Sequence, residues 1–190
     1  MKNRLRTFIA VSLSSSVLAG IEKTVRTLQT LFRDVRWVEP KNMHVTLKFL
    51  GDIPLNDLPQ LIRTVTQCTS ETNSFDLTFQ GIGAFPNRES PKTIWIGCRE
   101  GSKELIQLAE SIDKGLWSIG FPKESRHFSP HLTIGRIKKS VQESPLMPLL
   151  DEEDDRLFGS CSVSEVQIFS SELTRHGAIY DELAAIPLRH

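Results

Sequence analysis

His44-Val45-Thr46 and His131-Leu132-Thr133 are the two places in the chain where a threonine follows a histidine by two residues, each inside an apolar β-type run. Residues two apart in an extended strand share a face, so each histidine projects with its threonine while Val45 or Leu132 points the other way. Imidazole titrates near neutrality, and two imidazoles meeting at one substrate can divide the work, one as base and one as acid. Threonine hydroxyls on the same faces can donate hydrogen bonds to non-bridging phosphate oxygens, whose charge grows in the transition state. Water attack on a cyclic phosphodiester needs a base, an acid and such donors. A lone histidine in a strand is ordinarily structural; the repetition is what points to chemistry.

Strict alternation adds Lys48 to the face of His44 and Thr46. The same rule assigns Arg136 to the face opposite His131, Thr133 and Gly135, so Arg136 reaches a shared cleft only if the strand bends or ends near Gly135. Phe8, Trp37, Phe85 and Phe128 are candidates for stacking on a base, although core or cleft wall is the ordinary reading of each. His127 and His131 are four apart, as in a helical metal pair, but Ser129-Pro130 between them disfavours that helix. No Asp or Glu lies close to either motif on its strand face. The expected chemistry therefore uses no metal and no cofactor.

The flanking elements alternate between strand and helix. Thr7 to Val11 reads as a strand, followed by a serine-capped helix with Val17, Leu18, Ile21, Val25, Leu28 and Phe32 at core spacing. A short extended piece from Val35 to Val38 leads into the first motif strand, which ends at Gly51-Asp52. Pro54 to Cys68 reads as a helix with Pro59 in its first turn, and Phe75 to Phe79 as a strand. Gly81 to Arg88 reads as a turn-rich loop and Thr93 to Cys98 as a strand. A helix capped by Ser102 runs through Ile119, and the second motif strand follows Pro130. A short helix from Ser144-Pro145, a solvated acidic run from Asp151 to Asp155, and last strands at Val163–Phe169 and Ile179–Leu188 complete the chain. The motifs lie 87 residues apart. At that offset Ile9 falls on Ile96 and the helix from Ser14 on the one near Ser102. The helix from Leu55 falls on the segment from Gln142, and the strand from Phe75 on the one near Val163. This order suggests an internal duplication.

The 190 residues, 39% of them hydrophobic, suffice for one domain, 1–190, built as two pseudo-symmetric lobes. Acidic and basic residues balance at 23 each, which excludes a strong general attraction to nucleic acid and leaves local recognition of an end or a single phosphate. Cys68, Cys98 and Cys161 are odd in number and widely spaced, arguing for a reducing compartment. No apolar segment is long enough for a membrane span, and the basic N-terminus lacks a signal-peptide core. A cytoplasmic monomer without an obligate protein partner is expected.

The RTFIA start, the run Trp37 to Gly51, the Gly81-x-Gly83-x-Phe85-Pro86 loop with Pro91 and Trp95, Phe128 to Arg136, and Ser171-Glu172-Leu173 followed by Gly177-x-x-Tyr180 resemble the two-histidine (2H) phosphoesterase superfamily. More narrowly they look like its RNA 2′,3′-cyclic phosphodiesterases, also called 2′-5′ RNA ligases. The resemblance implies a bilobal, LigT-like α+β fold with antiparallel sheets flanking a central cleft and helices outside. It implies hydrolysis of a terminal 2′,3′-cyclic phosphate to a 2′-phosphate, with RNA or oligonucleotide ends or small cyclic nucleotides as partners. By that likeness His44 is the proton donor and His131 the acceptor, Thr46 and Thr133 hold the phosphate, and Arg136 matches an arginine after the second motif. Reverse 2′-5′ ligation and noncatalytic binding of nucleotides or RNA ends are the alternatives.

Overall fold

The computed structural model describes residues 3–87, 90–138, 153–175 and 177–190. The expected Ser144-Pro145 helix, Arg88 and the first residues of the acidic run lie outside these. β1 (Arg4–Ser12) leads into α1 (Ser15–Leu31), which begins where the Ser14 hydroxyl accepts from the Val17 N–H at 3.4 Å. That capping bond satisfies one orphan donor of the first turn, and Val17, Ile21, Val25 and Leu28 then repeat at helical spacing to bury one face. β2 (Val35–Trp37) and a 3₁₀ turn (Pro40–Asn42) precede β3 (His44–Pro54), the first motif strand. α2 (Leu58–Thr69) carries Pro59 in its first turn, where the missing N–H leaves no bond unmade. β4 (Phe75–Phe85), β5 (Thr93–Cys98), α3 (Ser102–Ser118) and β6 (His131–Ile137), the second motif strand, follow. β7 (Leu157–Val163), β8 (Glu165–Thr174) and β9 (Gly177–Pro187) end the chain.

Three local expectations need correction. Gly81 to Phe85 continues β4 instead of forming a loop. Gly81, at φ +75°, carries a register shift there, and Gly83 lies under Trp95, whose ring would be 2.3 Å from any Cβ. The glycines that read as turn signals are the means by which the strand bends and accepts an indole. Next, α3 starts at Gly101 in a left-handed conformation (φ +79°), and the Ser102 hydroxyl donates back to the Cys98 carbonyl at 2.6 Å. Finally β7, a Ser- and Gly-containing strand pairing with β4, has no apolar alternation strong enough to announce it.

All strand pairs in the two sheets are antiparallel, in the orders β3-β1-β8-β9 and β2-β6-β5-β4-β7. This is the α+β architecture anticipated, with α1 against β7 and α2 against α3. In each sheet the motif strand pairs with the strand that opens its own half, β3 with β1 and β6 with β5. Each half also lends its later strand to the other: β4 joins β5, and β8 joins β1. The expected equivalence of Ile9 with Ile96 shifts by two. Ile9 pairs with Lys48 and Ile94 with Gly135, so Ile94 is the true counterpart. An even shift preserves which face points inward, which is why hydrophobic pattern alone did not detect it. Among the described residues no helix is long and apolar enough to cross a membrane.

Candidate active site

The decisive local feature is an extra residue at the equivalent place in each motif strand, in addition to which β3 carries a second one, Leu50, between the Phe49–Phe8 and Gly51–Thr7 pairs. Opposite β1, Thr46 pairs with Ala10 and Lys48 with Ile9, so Leu47 is unmatched. Opposite β5, Thr133 pairs with Trp95 and Gly135 with Ile94, so Ile134 is unmatched. Such a bulge interrupts alternation and re-aims every side chain beyond it. Val45, Leu47 and Lys48 are buried, whereas His44 and Thr46 are half-buried and Phe49 is exposed. Likewise Leu132, Ile134 and Gly135 are buried, His131 and Thr133 half-buried and Arg136 exposed.

The two cations therefore exchange their expected places. Arg136 comes round to the face of His131 and Thr133, and its charge acts on His44, His131 and Tyr180 alike. Lys48 turns away from that face, contrary to the parity expectation. Its ammonium, 4% exposed, is ion-paired with Asp113 of α3 and donates to the Pro122 carbonyl at 2.8 Å. Asp113 also accepts the Glu124 N–H at 3.1 Å. Partial burial opposes ionisation of Asp113, but the Lys48 bond and the Glu124 N–H hold its carboxyl below the usual range.

Both imidazoles are tethered in the same way. His44 Nδ1 lies 2.8 Å from the Asn42 carbonyl, and His131 Nδ1 lies 2.7 Å from the Ser129 carbonyl. A carbonyl only accepts, so each Nδ1 carries the proton and Nε2 is left for chemistry. The Asn42 amide in turn donates to the Ala178 carbonyl at 2.9 Å, fixing the tether to β9.

Aromatic packing completes the ring positions. Phe8 stacks on His44 at 4.7 Å and 27°, with Phe169 behind it at 5.3 Å, and Tyr180 meets His44 edge-on at 5.3 Å. His131 meets Phe85 at 4.9 Å and 85°. Phe8, at 3% exposure, has no face left for a base, so its role as a stacking candidate is corrected to support of His44. Trp37 lies over Gly135 and donates from its indole to the Phe32 carbonyl at 3.4 Å, while Phe128 packs half-buried against the core. Sequence reasoning missed Phe49 because strict alternation faced it away, and gave Tyr180, the chain's only tyrosine, no place beside His44.

Burial pulls His44 down from 6.5 to about 4; the Asn42 bond resists this and the Arg136 charge adds to it. His131 is lowered for the same reasons in the same order, with Ser129 resisting. Near neutral pH both rings are therefore neutral, beside the Arg136 charge. Burial raises the Tyr180 hydroxyl, and the Arg136 and Arg6 charges oppose that rise. Among the described residues no three His, Cys, Asp or Glu side chains gather as a metal-holding group.

Residues 18–175 match the 2′-5′ RNA ligase superfamily, and the chain belongs to it. Its relatives include the RNA 2′,3′-cyclic phosphodiesterase of Methanothermobacter thermautotrophicus, 33% identical over 97% of this chain and 100% of that protein. The protein of the same name from Archaeoglobus fulgidus is 33% identical over 94% and 98%. A solved structure from Thermus thermophilus matches with a TM-score of 0.83 at 26% identity, covering 97% of this chain and 98% of that one. Escherichia coli LigT in its apo form, at 24% identity and TM-score 0.78 over the whole of both chains, shares the fold.

Two measurements follow from this geometry. An NMR titration of the phosphate-free protein is expected to give His44 a pKa of about 4 and His131 one below 6.5, both rising when inorganic phosphate saturates the cleft. A His44 value at or above 6.5 contradicts the burial argument. In denaturant unfolding, Lys48→Met is expected to lose about 3–5 kcal/mol by leaving Asp113 uncompensated, and K48M/D113L to recover most of it. Equal losses in the single and double variants would mean that the ion pair is not the source.

Proposed function

We propose that the protein hydrolyses the terminal 2′,3′-cyclic phosphate of an RNA or oligonucleotide to a 2′-phosphate, using its two H-x-T motifs and no metal. The enzyme class is that of the curated relatives, which are cyclic phosphodiesterases by name. The observation that carries the reading is the pair of identical Nδ1 tethers with one arginine acting on both rings. In this scheme the Thr46 and Thr133 hydroxyls and Arg136 hold the non-bridging oxygens. His131 Nε2 takes a proton from water as its oxygen bonds to phosphorus. His44 Nε2–H gives a proton to the 3′ oxygen as the bond from phosphorus to that oxygen breaks. His131 ends protonated and His44 neutral, and exchange with solvent restores the starting state.

A neutral resting His44 must gain a proton before it can act as the acid. An anionic phosphate supplies the reason, because it offsets the Arg136 field and stabilises an imidazolium beside it. Protonation of the donor is thus coupled to substrate binding. The same groups serve a second nucleophile: a 5′-hydroxyl in place of water gives up its proton to His131 as it bonds to phosphorus, the bond to the 3′ oxygen breaks with a proton from His44, and a 2′-5′ linkage results. The family's description as ligases favours keeping that second reading for the same site.

An oligonucleotide 2′,3′-cyclic phosphate incubated with EDTA is expected to yield a 2′-phosphate; a 3′-phosphate would reverse the acid and base roles. His44→Ala and His131→Ala should each lose about 10²- to 10⁴-fold in kcat. Near-wild-type turnover by either would remove the two-histidine mechanism. The depressed histidines also set a direction in pH. The active form of the free enzyme keeps a proton on His44, so kcat/KM should rise as pH falls from 8 towards 5, with the kcat limbs at higher pH. A kcat/KM that climbs from pH 6 to 8 would contradict this assignment.

A further inference from the structure

Arg36 and Arg136 stand directly opposite each other in the ladder between β2 and β6. Paired residues of antiparallel strands project to the same face with their Cβ atoms roughly 5 Å apart, so two guanidinium stems are rooted side by side. Val35 and Trp37, the neighbours of Arg36 in β2, turn the other way and close around Gly135. Arg36 therefore shares the cleft face with Arg136, and both are exposed.

Like charges set directly opposite one another destabilise a sheet. Among the described residues the ion pairs lie elsewhere, and neither guanidinium has a carboxylate to offset the other. The chain as a whole carries 23 basic and 23 acidic residues, so the pair is a local concentration of charge and not part of a generally basic surface. Two adjoining guanidiniums, each a planar fork of N–H donors, suit oxyanions held side by side.

The two arginines do not serve the same point. The Arg136 charge acts on His44 and His131, whereas that of Arg36 acts on neither, which sets Arg36 one place further from the reacting centre. β2 is the edge of its sheet, and past it comes the tip of the β8–β9 hairpin. A Cβ added at Gly177, on that tip, would lie 3.7 Å from Arg36 Nη2. The same hairpin carries Tyr180 beside His44, so the Arg36 side chain reaches from the second half towards the first at the mouth of the cleft. An RNA end offers two anions in succession, the terminal cyclic phosphate and, across one nucleoside, the internucleotide phosphate on its 5′ side. A cyclic mononucleotide offers one.

We propose that Arg36 binds the internucleotide phosphate next to the cyclic one, so that the site takes an oligonucleotide end in preference to a cyclic mononucleotide. The proposal rests on the cyclic-phosphate reading above and narrows its substrate class. Phosphate contacts position a strand without reading its sequence, so the preference is for chain length and not for a particular base.

The test uses adenylyl-(3′→5′)-adenosine 2′,3′-cyclic phosphate, the same dinucleotide with an uncharged methylphosphonate linkage, and adenosine 2′,3′-cyclic phosphate. Wild type should favour the charged dinucleotide over each of the others by about 3- to 30-fold in kcat/KM, mostly through KM. In Arg36→Gln that ratio should fall to about one, while Arg36→Lys, which keeps the charge, should retain most of it. A wild-type ratio near one, a ratio that survives in Arg36→Gln, or an Arg36→Gln variant inactive on all three substrates would each overturn the proposal. If wild type turns over none of the three, the hydrolytic reading fails separately. Calorimetric binding of adenylyl-(3′→5′)-adenosine 2′-phosphate against its methylphosphonate analogue then decides the role of Arg36. Wild type must prefer the charged linkage by about threefold or more and Arg36→Gln must lose that preference; any other pattern overturns it.

Discussion

One surplus residue in each motif strand governs the composition of the cleft. Without the bulges at Leu47 and Ile134, alternation would send Arg136 into the core and bring Lys48 beside His44. The core side of the two bulges shows what the arrangement demands. Gly135 sits where a Cβ would be 2.8 Å from Val35 and 3.1 Å from the Trp37 ring, because β2 passes close by. At the equivalent point of the first half, α3 and the loop after it leave room for a lysine stem. Its charge is met by Asp113 and by a backbone carbonyl. The same backbone device is thus accommodated by a glycine in one half and a buried ion pair in the other.

That ion pair also connects the halves. Lys48 belongs to the first motif strand, and Asp113 receives the Glu124 N–H from the loop that leads to Ser129, the tether of His131. The exchange of β4 and β8 between sheets works in the same direction, since neither sheet is complete without a strand from the other half. Two histidines 87 residues apart are held by a scaffold in which moving one half disturbs the other. The rings themselves sit among Phe8, Tyr180 and Phe85, where burial favours neutrality.

Residue types and spacing made much of this legible. The helices announced themselves through apolar spacing and, for α1, a serine cap. The two H-x-T pairs stood out because histidine and threonine recur together in apolar runs. Parity was where the reading failed. Val45-Thr46-Leu47 and Leu132-Thr133-Ile134 alternate normally up to the bulge, and the extra residue leaves no local mark, being decided by pairing with β1 and β5. Strict alternation misplaces Lys48 for that reason, whereas the resemblance names Arg136 against the parity argument. Gly81 and Gly83 were read as turn formers because their service to a bent strand and to Trp95 depends on a partner distant in sequence.

The central claim, that the bulges gather both motifs and Arg136 around one phosphoryl group, is tested most directly by a crystal structure of the protein soaked with inorganic phosphate. The account predicts one phosphate whose oxygens are contacted by Nε2 of His44 and His131, the hydroxyls of Thr46 and Thr133, and the Arg136 guanidinium. A phosphate held by one motif alone, or with Arg136 turned away from it, would contradict the account.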